Sequence, residues 1–317
     1  MTYPVTLPLF PSGPPIGRPE PDAEAVRYRA GVEYFELGVR SVLNRCSSPR
    51  MPFRWTINPY RGCEFGCTYC YARYTHSFFD LHRWQDFEQK IFVKRRAAES
   101  LERKLRRTNL KGQPIAIGTV TDPYQPAERH FGVTRSLLEV FVRVEGLEIS
   151  ITTKSPLILR DLDLLTALDR KHSITVHVSI TTVDRALARR LEPYAPSPAA
   201  RLRTVRRLAD EGLATSIFCM PLLPDINDGE PILRPLFAAA WEAGAFDVVA
   251  HPLFLRPAAR ARFFPWLREE FPGLVPLYER LYHRRDYLRA ADREELLATC
   301  RRLRLESGFP RTRPGRT

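Results

Sequence analysis

Cys63, Cys67 and Cys70 put three thiols within eight residues of the segment NPYRGCEFGCTYCYAR, spaced Cys-x3-Cys-x2-Cys, with no fourth cysteine close by. Thiolates are soft metal ligands, and three of them from one loop can hold a metal group while leaving one coordination position open. Three readings of the trio stand side by side. A structural zinc site needs a fourth ligand, which His76 or His82 could supply, but a second ligand cluster of the kind zinc modules pair with is missing from the sequence. A chance grouping of packed thiols is the second. An iron–sulfur cluster with one open iron is the third. It is favoured by Gly62 and Gly66, which let the chain turn tightly round a bulky group, and by the aromatic Tyr69 and Tyr71.

These residues must be positioned by the rest of the chain. From residue 54 the pattern alternates strand and helix, with candidate strands at 55–59, 90–94, 115–121, 148–154, 174–181, 215–221 and 247–253. Leu162, Leu165 and Leu168 form one helical stripe. Leu202, Val205 and Leu208 form another, with Arg203, Arg206 and Arg207 on its outer side and Gly212 where a C-terminal cap belongs. Such alternation predicts parallel strands with right-handed crossovers, a full or partial barrel. Lys154 shares strand parity with Ser150 and Thr152, as Ser179 does with His177 and Thr181, so one face of two strands is polar. An ordinary barrel lumen is filled with branched apolar side chains, so a polar face points to an interior lined for a ligand, the alternative being strands that face solvent at an edge.

The flanks differ from this core. Residues 1–22 carry seven prolines and read as an extended leader. Residues 23–50 suggest short elements leaning on the main body. After Arg256 the chain reads as helices and ends in the basic PRTRPGRT. The expected organisation is a leader and N-terminal extension over 1–50, a core over 51–255 and a C-terminal helical segment with basic tail over 256–317.

Composition narrows the class. No apolar run approaches the ~18 residues a membrane helix needs, and the N-terminus has no basic leader before an apolar core, so a cytoplasmic chain without membrane attachment is expected. Six cysteines in 317 residues are not a disulfide scaffold. The net charge of +13 attracts phosphate backbones and makes DNA or RNA a candidate partner. Only six of the 49 basic residues are lysine, a skew that coding bias would also produce.

The motif CEFGCTYC at the end of a first strand resembles the signature of the radical S-adenosylmethionine (SAM) enzymes. TINPYRGCEFGCTYCYAR, IGTVTDPYQPAE, TTKS, VHVSITT and PLLPDIND resemble the branch that includes spore photoproduct lyase and the so-called DNA repair photolyases. The likeness covers residues 52 to about 255. It implies an α/β fold, a partial (β/α)6 TIM-like barrel with an N-terminal extension and C-terminal helices. It also implies a [4Fe–4S] cluster held by Cys63, Cys67 and Cys70, whose open iron binds SAM, and cleavage of SAM to a 5′-deoxyadenosyl radical that abstracts hydrogen from substrate. By the same resemblance Tyr69 and Tyr71 lie near adenine and ribose, Thr121 and Asp122 meet the methionine ammonium, Lys154 its carboxylate and Ser179 the ribose. Asn227 could touch adenosine or substrate, or serve with Asp228 as a helix cap. An electron donor such as flavodoxin or ferredoxin is implied.

One departure stands out. The spore lyases carry a hydrogen-donating cysteine three residues before the aspartate of their corresponding segment, and here that place is Thr119, whose O–H bond is too strong for the task. Cys219 is the candidate substitute, or a small buried residue. The functions that remain are a radical SAM enzyme acting on nucleic acid, one that modifies a protein, peptide or small molecule, and a non-enzymatic iron–sulfur or zinc module.

Overall fold

A computed structural model describes residues 25–29, 31–49 and 51–309. The proline-rich leader and the basic tail lie outside them. The chain divides into two compact units: Met1–Glu64 with Ala72–Thr152 and Arg160–Ile174, and Phe65–Tyr71 with Thr153–Leu159 and Thr175–Thr317.

The first unit holds two groups of strands. One is the four-stranded sheet of β1 (Ala25–Arg29), β2 (Val32–Glu36), β6 (Lys90–Val93) and β5 (Tyr60–Arg61), in that order. The other joins β3 (Leu43–Arg45) antiparallel to β4 (Trp55–Ile57), then β7 (Pro114–Ile117) and β8 (Glu148–Thr153) in parallel. Here the structure corrects the sequence reading. The 90–94 strand exists, but β6 pairs with β2 and β5 rather than joining the parallel series. Its short apolar run reads the same in either sheet, because pairing partners leave no mark on periodicity.

The second unit carries β9 (Ser173–Ser179) from Thr175 onward, β10 (Thr215–Leu222) and β11 (Val248–Pro252), mutually parallel in the order β11-β10-β9. Helix Pro198–Asp210 starts with Ser197 as a capping acceptor for the Ala200 N–H and Pro198 in its first turn. The expected C-terminal helices are Pro257–Glu270, Val275–Leu281 and Ala290–Glu306. Tyr278 and Tyr282 anchor the middle one, their hydroxyls donating to the Pro224 and Leu253 carbonyls, each at 2.9 Å.

Alternation along the parallel strands sorts the side chains. On β8, Ile149, Ile151 and Thr153 are buried, while Ser150 and Thr152 are half-buried. On β9, Ile174, Val176 and Val178 are buried, and His177 is half-buried. Ser150, Thr152 and His177, on the polar faces, are thus neither core nor fully exposed. His177 accepts or donates through Nδ1 to the Ser216 hydroxyl at 2.7 Å and stacks on Phe218 at 4.0 Å.

Candidate cofactor-binding site

In the first unit the cysteine loop is anchored where it begins. Gly62 has φ +84°, and a Cβ there would stand 2.9 Å from the Phe87 and Lys90 carbonyl oxygens. The glycine is thus demanded by the neighbouring backbone, a reason distinct from room for a cofactor. The Cys63 N–H donates to the Phe87 carbonyl at 2.9 Å. The TDPYQPAE segment clasps the same turn. Thr121 Oγ1 donates to the Gly62 carbonyl at 2.6 Å, and Gln125 Nε2 donates to the same oxygen at 3.1 Å. Gln125 Oε1 accepts from the Glu64 N–H, and the Glu64 carboxylate takes the Ala127 N–H and the Tyr34 hydroxyl. Glu128, fully buried, accepts from the Tyr60 hydroxyl, the Thr134 N–H and Arg160. This motif is therefore a clamp on the start of the cysteine loop. Asp122, buried, accepts the Tyr124 N–H through Oδ1 at 2.9 Å. Thr119 Oγ1 accepts from the Asn58 amide at 3.0 Å.

His76 does not extend the thiol set in the manner a zinc reading wants. Its Nε2 is 2.9 Å from the Lys90 carbonyl, and its ring lies edge-on to Phe79, Phe87 and Phe92. Burial lowers its pKa to about 4. His82 is exposed.

In the second unit a single carboxylate organises the rest. Glu192, fully buried, receives the Tyr69 hydroxyl and pairs with the Arg201 guanidinium, while Lys154 Nζ lies 3.4 Å from its Oε1. Lys154 Nζ also sits 5.9 Å from the Tyr69 ring centroid. Burial alone would raise the Glu192 carboxyl; Arg201 and Lys154, with the Tyr69 hydroxyl, outweigh it and hold the pKa down to about 2. Arg201 is fixed further by Nε to the Pro196 carbonyl at 2.8 Å and Nη1 to the Ser179 carbonyl at 2.9 Å. The two cations and one carboxylate sum to a net positive charge, the sign a carboxylate-bearing ligand needs. Backbone bonds seal the loop to this hub: the Thr68 N–H donates to the Leu191 carbonyl and the Tyr194 N–H to that of Phe65.

Neither Glu192 nor Arg201 stands out in the sequence, where both sit among many charged residues. One signal does exist: Arg201 precedes Thr204, Val205 and Leu208 at helical spacing, so it lies on the buried stripe.

Cys219 and Asn227 are placed as follows. Cys219 is fully buried on β10, and its strand neighbour Phe218, paired to Ser179, shares the Ser179 face; Cys219 points the other way, and burial pushes its thiol pKa well up. Its thiol is packed on the face of β10 opposite Ser179. Asn227 is fully buried, and its amide is used on backbone: Nδ2 donates to the Thr181 and Pro221 carbonyls, and Oδ1 accepts the Leu223 N–H at 2.6 Å. It braces the ends of two strands, and the helix that follows is capped at Gly229.

The thiols fit the implied cluster by chemistry. None of the six cysteines forms a disulfide. Cys67 is buried, and desolvation pushes its thiol up to about 12, against the pull of Lys154, so a metal is what would make it a thiolate. Gly66 supplies a second positive φ, 65°, within the loop. Among the described residues no three His, Cys, Asp or Glu side chains already stand as a metal cage. The fit rests on the donor set and its loop.

Residues 57–233 match the sequence profile of the radical SAM superfamily. The chain belongs to that superfamily. A radical SAM enzyme uses a [4Fe–4S] cluster and SAM, and these are the cofactors of this one. An uncharacterized protein of Mycobacterium bovis is 35% identical over 267 residues, covering 84% of this chain and 78% of that protein. One of Methanocaldococcus jannaschii is 29% identical, covering 76% and 85%. Among solved structures, spore photoproduct lyase complexed with dinucleoside spore photoproduct superposes with a TM-score of 0.65 at 18% identity, covering 87% of this chain and 80% of that one. A double mutant of that lyase with bound AdoMet gives 0.62 at 16% identity, over 84% and 77%. The radical SAM partial barrel is thereby the fold. No helix among the described residues is long and apolar enough to cross a membrane.

Proposed function

We propose that this radical SAM enzyme acts on nucleic acid, as a lyase-like repair or modifying enzyme. The observation that carries the reading is the net charge of +13, with Arg203, Arg206 and Arg207 exposed along one helix. The solved lyases of like fold bind a dinucleoside spore photoproduct, which supports the same substrate class here.

In this reading Cys63, Cys67 and Cys70 would hold the cluster, which with SAM would supply hydrogen-abstracting radical chemistry. The chain's own residues orient the cofactor. Lys154 holds the methionine carboxylate by a charge-assisted hydrogen bond, its cation steadied by Glu192. Asp122 and Thr121 receive the ammonium, Ser179 the ribose, and Tyr69 and Tyr71 border the nucleoside. With threonine at 119 and Cys219 turned away, the spore lyase's route of returning hydrogen from cysteine is not assigned. An electron donor of the flavodoxin or ferredoxin kind, in a reducing cytoplasm, completes the scheme. The core over 51–255 carries the chemistry, and the C-terminal segment serves substrate.

Reduced, cluster-loaded enzyme with SAM and substrate-position-deuterated DNA or RNA should place deuterium in 5′-deoxyadenosine. If label enters only from a protein or small-molecule pool, the second reading, in which the arginine surplus is incidental, replaces this one. Binding to oligonucleotides should also weaken steeply as salt rises.

A further inference from the structure

Three aromatic rings in the second unit form a strip beside the end of the cysteine loop. Phe254 and Tyr287 are stacked, with centroids 4.2 Å apart and planes 11° from parallel, and Tyr71 lies 5.9 Å from Phe254. Tyr71 is 37% and Tyr287 42% exposed, so both reach the surface. The Arg256 guanidinium stands 5.3 Å from the Phe254 centroid. Tyr71 follows Cys70 directly, and Phe254 follows the carboxyl end of β11, the end at which reactive groups gather in βα barrels.

The loop that brings Tyr287 there is deliberately held. The Leu255 N–H donates to the Asp286 carbonyl at 2.9 Å, and Arg260 bridges the Tyr282 and Arg285 carbonyls at 2.7 and 2.5 Å. Arg284 adopts φ +51°, a conformation costly for a side chain of its size and kept only where the surroundings impose it. His283, Arg284 and Arg285 are exposed on the same loop, so the strip is flanked by basic groups.

We propose that the stacked pair Phe254 and Tyr287, with Arg256 at its edge and Tyr71 between it and the cofactor's nucleoside, is a stacking platform for an unstacked base of a single-stranded or flipped-out nucleic-acid substrate. Every base has a π-face, and parallel rings with an adjacent guanidinium offer it stacking and cation–π contact, while the basic loop meets the phosphates. This rests on the nucleic-acid reading and narrows it to a base taken out of the helix.

The test is fluorescence anisotropy of a labelled single-stranded oligothymidine on the cluster-loaded enzyme with saturating SAM, over a range of salt. Tyr287→Ala should weaken binding about tenfold, with the slope of log K against log salt unchanged, and Tyr287→Phe should restore it. Arg285→Ala, on the basic loop that meets the phosphates, should lower that slope by about one. Tyr287→Leu, which keeps apolar bulk without a π-face, should lose binding like the alanine and covers the case of an unstable alanine variant. If the wild type binds and Tyr287→Ala binds equally, the platform falls and the nucleic-acid reading stands. A parallel loss of SAM affinity would make the strip the seat of the cofactor's adenine and overturn the proposal. If the wild type binds no oligonucleotide at low salt, the functional reading fails and the platform with it.

Discussion

Arg201 and Glu192 form an ion pair from which water is excluded, their side chains 1% and 0% exposed. Two buried ions are costly unless every lone pair and proton is matched. Here Glu192 Oε1 accepts the Tyr69 hydroxyl with Lys154 beside it, Oε2 faces the Arg201 guanidinium, and Arg201 also reaches two backbone carbonyls. The hub therefore fixes, in one arrangement, the aromatic residue between two thiols and the lysine assigned to SAM.

Separating the roles takes two variants. Glu192→Gln leaves Arg201 buried without its counter-ion and should cost roughly 3 kcal/mol in urea unfolding. Lys154→Met removes a cation that is mostly but not fully buried; it should change stability far less and weaken SAM binding tenfold or more, as loss of a charge-assisted hydrogen bond does. Equal losses of stability in the two, with SAM affinity intact, would make Lys154 part of the scaffold alone.

Gly62 and Gly212 offer a controlled comparison. Both have positive φ, +84° and +76°, but a Cβ at Gly212 meets nothing within 4 Å, whereas at Gly62 it meets two carbonyl oxygens at 2.9 Å. Gly212→Ala should cost only the backbone conformation, about 1 kcal/mol, and Gly62→Ala at least twice that. Because Gly62 adjoins Cys63, the second variant should also hold less iron after reconstitution. Matching melting temperatures for the two would show that the Gly62 turn relaxes at no cost.

Acid sensitivity should begin above the range of the carboxylates. His76 titrates at about 4 in the folded chain against an ordinary value of 6.5, because burial disfavours its cation. Between those values the unfolded chain binds the extra proton, so stability falls as pH drops from 6.5 to 4, by on the order of 3 kcal/mol. Glu192 acts lower: its pKa of about 2 gives stability that is present above 4.5 and lost as pH falls through 2. Lys94, lowered to about 7 by burial, acts higher, its penalty easing as pH rises from 7 toward 10.5. Unfolding midpoints of wild type and His76→Leu across pH 4.5–6.5 check this. Parallel curves would remove the histidine from the account.

Much of this was legible beforehand, and the gaps have physical reasons. The thiol spacing, the polar parity of Lys154 and Ser179 and the parallel strands can be read because ligands and strand faces repeat at fixed intervals. Which sheet β6 joins cannot, since β2 pairs with it across more than fifty residues and leaves no local trace. Asn227 was legible as a polar residue at a turn, but its three backbone bonds reach as far as Thr181. Arg201 lay hidden because a chain with 43 arginines makes one on the apolar stripe look like its neighbours.

The six cysteines should divide into two classes when replaced. Cys63, Cys67 and Cys70 share a loop clamped by Thr121 and Gln125 at its start and by Leu191 and Tyr194 beyond. Replacing all three with alanine should abolish bound iron, the visible absorption of the cluster and formation of 5′-deoxyadenosine together. Cys219 lies fully buried on the far face of β10 from Ser179, so Cys219→Ala removes one packed sulfur and should cost about 1 kcal/mol while iron content stays. Iron analysis, absorption spectra and product chromatography on the reconstituted variants read all of this. A triple variant that still binds iron and cleaves SAM would locate the cluster elsewhere. Loss of product in Cys219→Ala with a full cluster would return that thiol to the reaction despite the face it occupies.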